Sequence, residues 1–214
     1  MHATTQKMSE PKRKRNAIAI RKKIVGASRE LFSEDGYQNT TITRIREKAS
    51  VSISTFYKHF DSKQSVLLAL LEDERETYTP PIKRALEAEI DTPVDYVTSV
   101  VEAFLDPLDE PKLKTLWRET IAATIVLSGD PEARPQITTD NEFYLRQLAY
   151  AFDRLNSLDM LKANAPIDTL VSVVESIVAY GWQNFVCERY ADRQVFLTHI
   201  NRQIAKLLVP WLVV

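Results

Sequence analysis

The chain has 214 residues, of which 44% are hydrophobic and 27% charged, with a net charge of −1, four glycines and one cysteine, Cys187. That balance and length suit a globular protein with a substantial core, and a lone cysteine excludes an internal disulfide framework. The longest apolar run, residues 207–214, is interrupted by Pro210 and falls short of the ~20 residues a membrane span needs; with a polar N-terminus free of a secretory leader, a cytoplasmic setting is expected.

Residues 1–16 are polar, carry the cluster Lys12-Arg13-Lys14-Arg15, and read as a disordered basic arm. Charge is unevenly spread: residues 1–70 hold 14 Lys/Arg against 6 Asp/Glu (+8), and the remainder holds 14 against 23 (−9). A basic first third beside an acidic remainder predicts two modules, one of which meets a polyanion.

From Ala17, apolar positions Ile18, Ile20, Ile24, Ala27, Leu31 and Phe32 recur at helical spacing, and Gly36 is placed to stop that helix in a left-handed conformation. Thr40 or Thr41 caps a short second helix that turns Ile42 and Ile45 inward and ends near Ala49-Ser50. A third helix opens at Ser52, with Phe56 and Phe60 on its buried side. Asp61 or Ser62 caps a fourth, which carries Val66, Leu67, Leu70 and Leu71. Farther on, Pro80-Pro81, Pro93, Pro111 and Pro166 stand where new helices can start. The periodicity predicts helices over 82–90, 94–104, 112–127, 141–155, 167–190 and 193–209, with a loop at 128–136. No strand-like alternation appears, so the fold class is all-α with about nine or ten helices. The predicted organisation is an arm to residue 16, a helix-turn-helix head over 17–62, a connecting helix over 63–79, and a second helical domain over 80–214.

Residues 41–60 follow helix-turn-helix grammar, in which the second helix offers its first side chains to the major groove of DNA. Ser52, Ile53, Ser54 and Thr55 form that tip, and the short hydroxyl side chains allow close approach to base edges. Thr43 projects from the supporting helix, and Arg44 with Arg46 adds charge beside the turn. Thr41, Tyr57, Lys58, His59 and Lys63 are within reach of phosphates; Tyr57 could equally be packing. His59 has no Cys, Asp or second His at ligand spacing, since His2 and His199 lie far off, so no metal or other cofactor is expected. No paired carboxylate or nucleophile–base constellation points to an enzyme.

Residues 21–71 resemble the DNA-binding region of the tetracycline-repressor (TetR) family of bacterial regulators. The resemblance rests on Ala27-Ser28-Arg29-Glu30-Leu31-Phe32, Gly36-Tyr37, Thr40-Thr41-Ile42, Ile45, Ala49-Ser50-Val51-Ser52 and Thr55-Phe56-Tyr57-Lys58-His59-Phe60 with Lys63. The chain departs from the family pattern at Ser50 and Ser54, where glycine is usual, and at Arg46, where a small residue is usual. A left-handed Ser50 would cost about 1 kcal/mol.

The resemblance implies a homodimer that binds a palindromic double-stranded DNA operator and releases it on binding a small, amphipathic effector, that is, a repressor. It also implies a pocket among the middle helices and two C-terminal dimerisation helices. Trp117, Thr120, Thr124, Tyr144, Tyr150 and Tyr180 are the candidate pocket residues, although each would serve equally as core. Arg118 and Glu119 either bind a ligand charge or are solvated. Val178, Gly181, Trp182, Phe185 and Leu197 are the candidate dimer contacts. The alternative is a DNA-binding regulator or architectural protein with no small-molecule ligand, controlled by a protein partner.

Overall fold

A computed structural model of the chain describes residues 12–105, 111–131 and 134–213. Its elements are α1 (Lys12–Asn39), α2 (Ile42–Lys48), α3 (Ile53–Tyr57), α4 (Lys63–Glu87), α5 (Pro93–Leu105), α6 (Pro111–Leu127), α7 (Arg134–Ser157), α8 (Ile167–Val186), α9 (Arg193–Leu208) and a 3-10 turn, Val209–Trp211. Leu161 and Leu212 form one isolated antiparallel bridge. The architecture is all-α, and no helix among the described residues is long and apolar enough to cross a membrane.

Two apolar clusters hold the molecule together. The first gathers Ile24, Leu31 and Phe32 of α1, Ile45 of α2, Phe56, Phe60, and Val66, Leu67 and Leu70 of α4. Leu116 and Ala123 of α6 complete it, so the head's core is closed by a helix from the middle of the chain. The second cluster unites Ile82 and Leu86 of α4 with α5, α7, α8 and α9.

Helix starts follow side-chain chemistry. Thr41, Ser52, Ser62 and Asp192 each stand in extended backbone and accept an N–H three residues on. At Ser62 the cap is reciprocal, because Ser65 Oγ accepts the Ser62 N–H. Thr40, the other candidate cap, is instead buried and donates to Gly36 O at 2.8 Å.

Helix ends use an unusual device. After α2, α7 and α8 the chain closes a Schellman motif whose left-handed residue is Ser50 (φ 55°), Asp159 (φ 53°) or Glu188 (φ 59°) rather than glycine. The bonds are Ser50 N–H to Glu47 O with Val51 N–H to Arg46 O, Asp159 N–H to Asn156 O with Met160 N–H to Leu155 O, and Glu188 N–H to Phe185 O with Arg189 N–H to Asn184 O. At each, a side chain meets the steric cost that glycine avoids.

Several expected boundaries move. Residues 1–11 of the expected arm lie outside the described residues, and the arm's basic cluster falls in α1, which begins at Lys12. Lys and Arg propagate a helix well, and a solvated turn needs no apolar face to mark it. Gly36 does break α1, but with φ 81° and ψ 158°, a region open essentially to glycine alone, rather than as an ordinary left-handed stop. The expected boundary at residue 80 falls inside α4, which runs through Pro80 and Pro81 with Pro80 exposed. The carbonyls that lose a helical donor there face a part of the helix open to water. Helix α7 starts at Arg134, inside the expected loop, and α8 stops at Val186, four residues early, where Glu188 turns left-handed.

Candidate nucleic-acid interface

The short third helix is fixed from behind and bare in front. Phe56 is fully buried, Phe60 nearly so, and their rings stand 6.0 Å apart. Although α3 ends at Tyr57, the Phe60 N–H still bonds Phe56 O at 3.0 Å, which keeps both rings on the inner side. Arg21 lies over the Phe60 ring at 4.6 Å. On the outer side Ser52, Ile53, Ser54, Tyr57 and Lys58 are exposed, with Thr55 and His59 half-buried beside them. Thr41 and Thr43 are exposed on the neighbouring α2. These candidate DNA-reading residues are thus exposed or half-buried, and two further candidates are already engaged within the chain.

Those two are Lys63 and Arg44. The Lys63 ammonium donates to the carbonyls of Tyr37 (2.6 Å), Thr40 (2.9 Å) and Gln38 (3.3 Å) and sits 4.3 Å from the Tyr37 ring centroid. It fastens the end of α1 rather than standing free for a phosphate. Burial pushes its pKa below the ordinary lysine value, and three carbonyl acceptors work against that push by favouring the charged form. Arg44 is engaged by Asp35 at 2.7 Å. Sequence spacing shows that these cations are near the reading helix but not which acceptors the fold brings to them.

The Ser52 hydroxyl accepts the Thr55 N–H at 3.1 Å and lies 3.0 Å from Ser54 Oγ and 2.8 Å from Thr55 Oγ1. The Ser52 hydroxyl therefore gathers those of Ser54 and Thr55 around it at the tip of α3. Ser50 takes the left-handed conformation its position demands, so the turn keeps its geometry without glycine.

A second feature joins the head to α6. Glu119 Oε2 accepts the Tyr37 N–H at 3.0 Å, directly after the Gly36 break. A Cβ on residue 36 would stand 3.0 Å from that same oxygen. Glu119 is thus neither a ligand group nor simply solvated. Gln64, in the first turn of α4, donates to Asp130 beyond α6 at 3.0 Å. The Tyr37–Thr40 segment, which feeds straight into α2, is held by an α6 carboxylate on one side and the α4 ammonium on the other. No signal in the sequence marks Glu119, since its partner lies 82 residues away.

The expected pocket set divides. Thr120 is buried, Trp117 packs edge-on to Trp182 with centroids 5.5 Å apart, and Tyr144 packs against Phe104 at 5.4 Å. The half-buried Thr124 donates to Ile121 O, one turn back. Tyr150 and Tyr180 are 54% and 63% exposed and do not face an interior, because each falls on the solvent side of its helix. The dimer set divides as well. Gly181, Phe185 and Leu197 are buried within the chain: a Cβ on Gly181 would stand 2.8 Å from Ile200 Cγ2, and Phe185 stacks on Phe196 at 4.9 Å. Small size and large apolar area at these positions serve the packing of α8 on α9. Val178 and Trp182 are half-buried. Among the described residues, no group of three or more His, Cys, Asp or Glu side chains is placed to hold a metal ion.

Comparison with known proteins bears on the same residues. The family profile described as "Bacterial regulatory proteins, tetR family" matches residues 24–70. The chain is 33% identical over 96 residues to the HTH-type transcriptional regulator HbdR of Aromatoleum sp. (strain CIB), a match that takes in 45% of this chain and only 42% of the relative's length. It is 23% identical over 158 residues to the HTH-type transcriptional repressor AcnR of Corynebacterium diphtheriae, spanning 74% of this chain and 76% of that one. The solved structure of Salmonella enterica GusR superposes with a TM-score of 0.69 at 19% identity, over 95% of this chain and 100% of that one. The complex of SmeT with triclosan superposes with a TM-score of 0.68 at 20% identity, over 91% and 92%.

Proposed function

We propose that this chain, whose residues 24–70 are a tetR-family DNA-binding region, is a homodimeric transcriptional repressor that binds a palindromic operator and leaves it when a small amphipathic molecule binds the second cluster of helices. The observation that carries the reading is the asymmetry of α3: a fully buried Phe56 anchors the helix from within while its first turn and Tyr57 stand bare. A helix of that kind has one face to hold position and one to enter a major groove. Ser52 to Thr55 face the bases; Tyr57, Lys58 and His59 take phosphates beside them, and Thr41 and Thr43 add contacts from α2.

Two-fold symmetry sets the spacing of the two heads to the groove repeat, which is why a dimer is needed. The outer face of α8 and α9, where Tyr180 and Val195 are exposed beside the half-buried Val178 and Trp182, suits that dimer. The effector acts by preferring a head separation other than the DNA-bound one, so it lowers operator affinity by its differential binding to the two states. Trp117, Thr120, Thr124 and Tyr144 are the interior residues suited to it. SmeT, whose fold resembles this one, has been solved with the small molecule triclosan, a precedent for effector binding in such a body.

The test is operator binding as a function of salt. Tyr57→Phe removes a phosphate hydrogen bond and should weaken binding several-fold, as the loss of about 1 kcal/mol per contact would. Lys58→Ala should weaken binding and reduce the slope of log affinity against log salt by about one for each half-site. If both variants bound as tightly as the parent with an unchanged slope, this face would not be the DNA-binding one.

A further inference from the structure

We infer that Ile53 reads the methyl group of a thymine in each operator half-site. The inference rests on the proposal that α3 enters the major groove. Ile53 is the first residue of α3, and it is 45% exposed. An isoleucine there makes no cap, and the neighbouring helix turn draws its buried contact from Phe56 instead. Its neighbours at the tip differ in kind. The Ser52 hydroxyl lies 3.0 Å from that of Ser54 and 2.8 Å from that of Thr55, and it accepts the Thr55 N–H at 3.1 Å. Those contacts occupy two of the three hydroxyl protons, so these groups serve the turn and keep limited donor capacity for a base edge, whereas Ile53 gives up only water.

Across the major groove, base pairs present donors and acceptors, with one apolar exception: the C5-methyl of thymine. A branched apolar side chain at the leading end of the helix therefore has one favourable partner there. Opposite any other base it strips water from a polar edge without offering a hydrogen bond. Tyr57, one turn further on and also exposed, carries a hydroxyl at its tip and so suits the backbone better. The tip of α3 thus divides its labour, with hydroxyls that shape the turn and an isoleucine that discriminates.

The experiment uses the full-length chain to select its site from random duplex DNA. Each thymine of the recovered half-site is then replaced by deoxyuridine, which deletes the methyl and nothing else. The parent should show one position per half-site at which this change weakens binding about fourfold, the equivalent of one buried methyl group. Ile53→Ala should be indifferent to the methyl at that position and otherwise select the same half-site. Ile53→Val, which retains a branched apolar group, should keep the response. The inference is overturned if no position responds, or if Ile53→Ala still responds in full. Recovery of no preferred site at all would sink the operator reading itself, and this inference with it.

Discussion

The two apolar clusters are built on opposite principles. Around the first, α2 and α3 are only 7 and 5 residues long, too short to persist alone, and each begins on a hydroxyl that holds an otherwise orphaned N–H. In the second, α5, α7, α8 and α9 run from 13 to 24 residues; Thr92 and Asp192 cap α5 and α9, while α8 starts behind Pro166 with no side-chain cap. Their faces are held by packing, such as the Phe185–Phe196 stack and the close approach of α8 to α9 at Gly181. Short helices depend on being told where to start; long ones, capped or not, also have an apolar face long enough to hold them in place.

Three substitutions test that contrast. Phe152→Ala removes a fully buried ring from the second cluster and should lower stability by about 3–5 kcal/mol in denaturant unfolding. A loss below ~1 kcal/mol would mean that the long helices do not depend on packing. Ser62→Ala deletes a reciprocal cap at the joint between head and α4, and should cost about 1 kcal/mol. An unchanged midpoint would show that the caps are dispensable. Ser50→Gly works in the opposite direction: relief of a left-handed serine should stabilise the chain by up to about 1 kcal/mol, less the entropy glycine adds to the unfolded state. A destabilised variant would mean that the serine side chain holds the turn in some further way.

The same contrast explains what could be read from the residues alone. Ser52 is legible as a cap, and the caps at Thr41 and Ser62 are legible to within one residue, because a hydroxyl or carboxylate before an apolar period has a local job. The ends of α7 and α8 are not, because Asp159 and Glu188 turn left-handed without the glycine that normally announces it. The proline pair at 80–81 misleads in the other sense, since a proline that starts a helix and one tolerated inside an exposed stretch look alike in sequence. In the site, the face carrying Ser52 to Lys58 follows from spacing on one short segment. The duties of Lys63 and Glu119 do not, because both hold the Gly36–Thr40 segment from elsewhere in the chain, 23 to 26 and 82 residues away. Gly181 and Phe185 were attractive as dimer contacts for the very properties that α9 consumes.

Helix α4 is a single element with two mechanical halves. At 25 residues it is about 37 Å long. Pro80 and Pro81 lack the N–H groups that would bond the carbonyls of Glu76 and Thr77, so the rod is softest at that level. Beyond it, Ile82 and Leu86 are set into the second cluster; before it, some 25 Å of helix leads back to Ser62. A bend of only about 5° at the prolines would swing the Ser62 end by about 2 Å, more than a hydrogen bond tolerates. The first ties strained would be those of Lys63 to Tyr37 and Thr40 and of Gln64 to Asp130, at the far end of the lever.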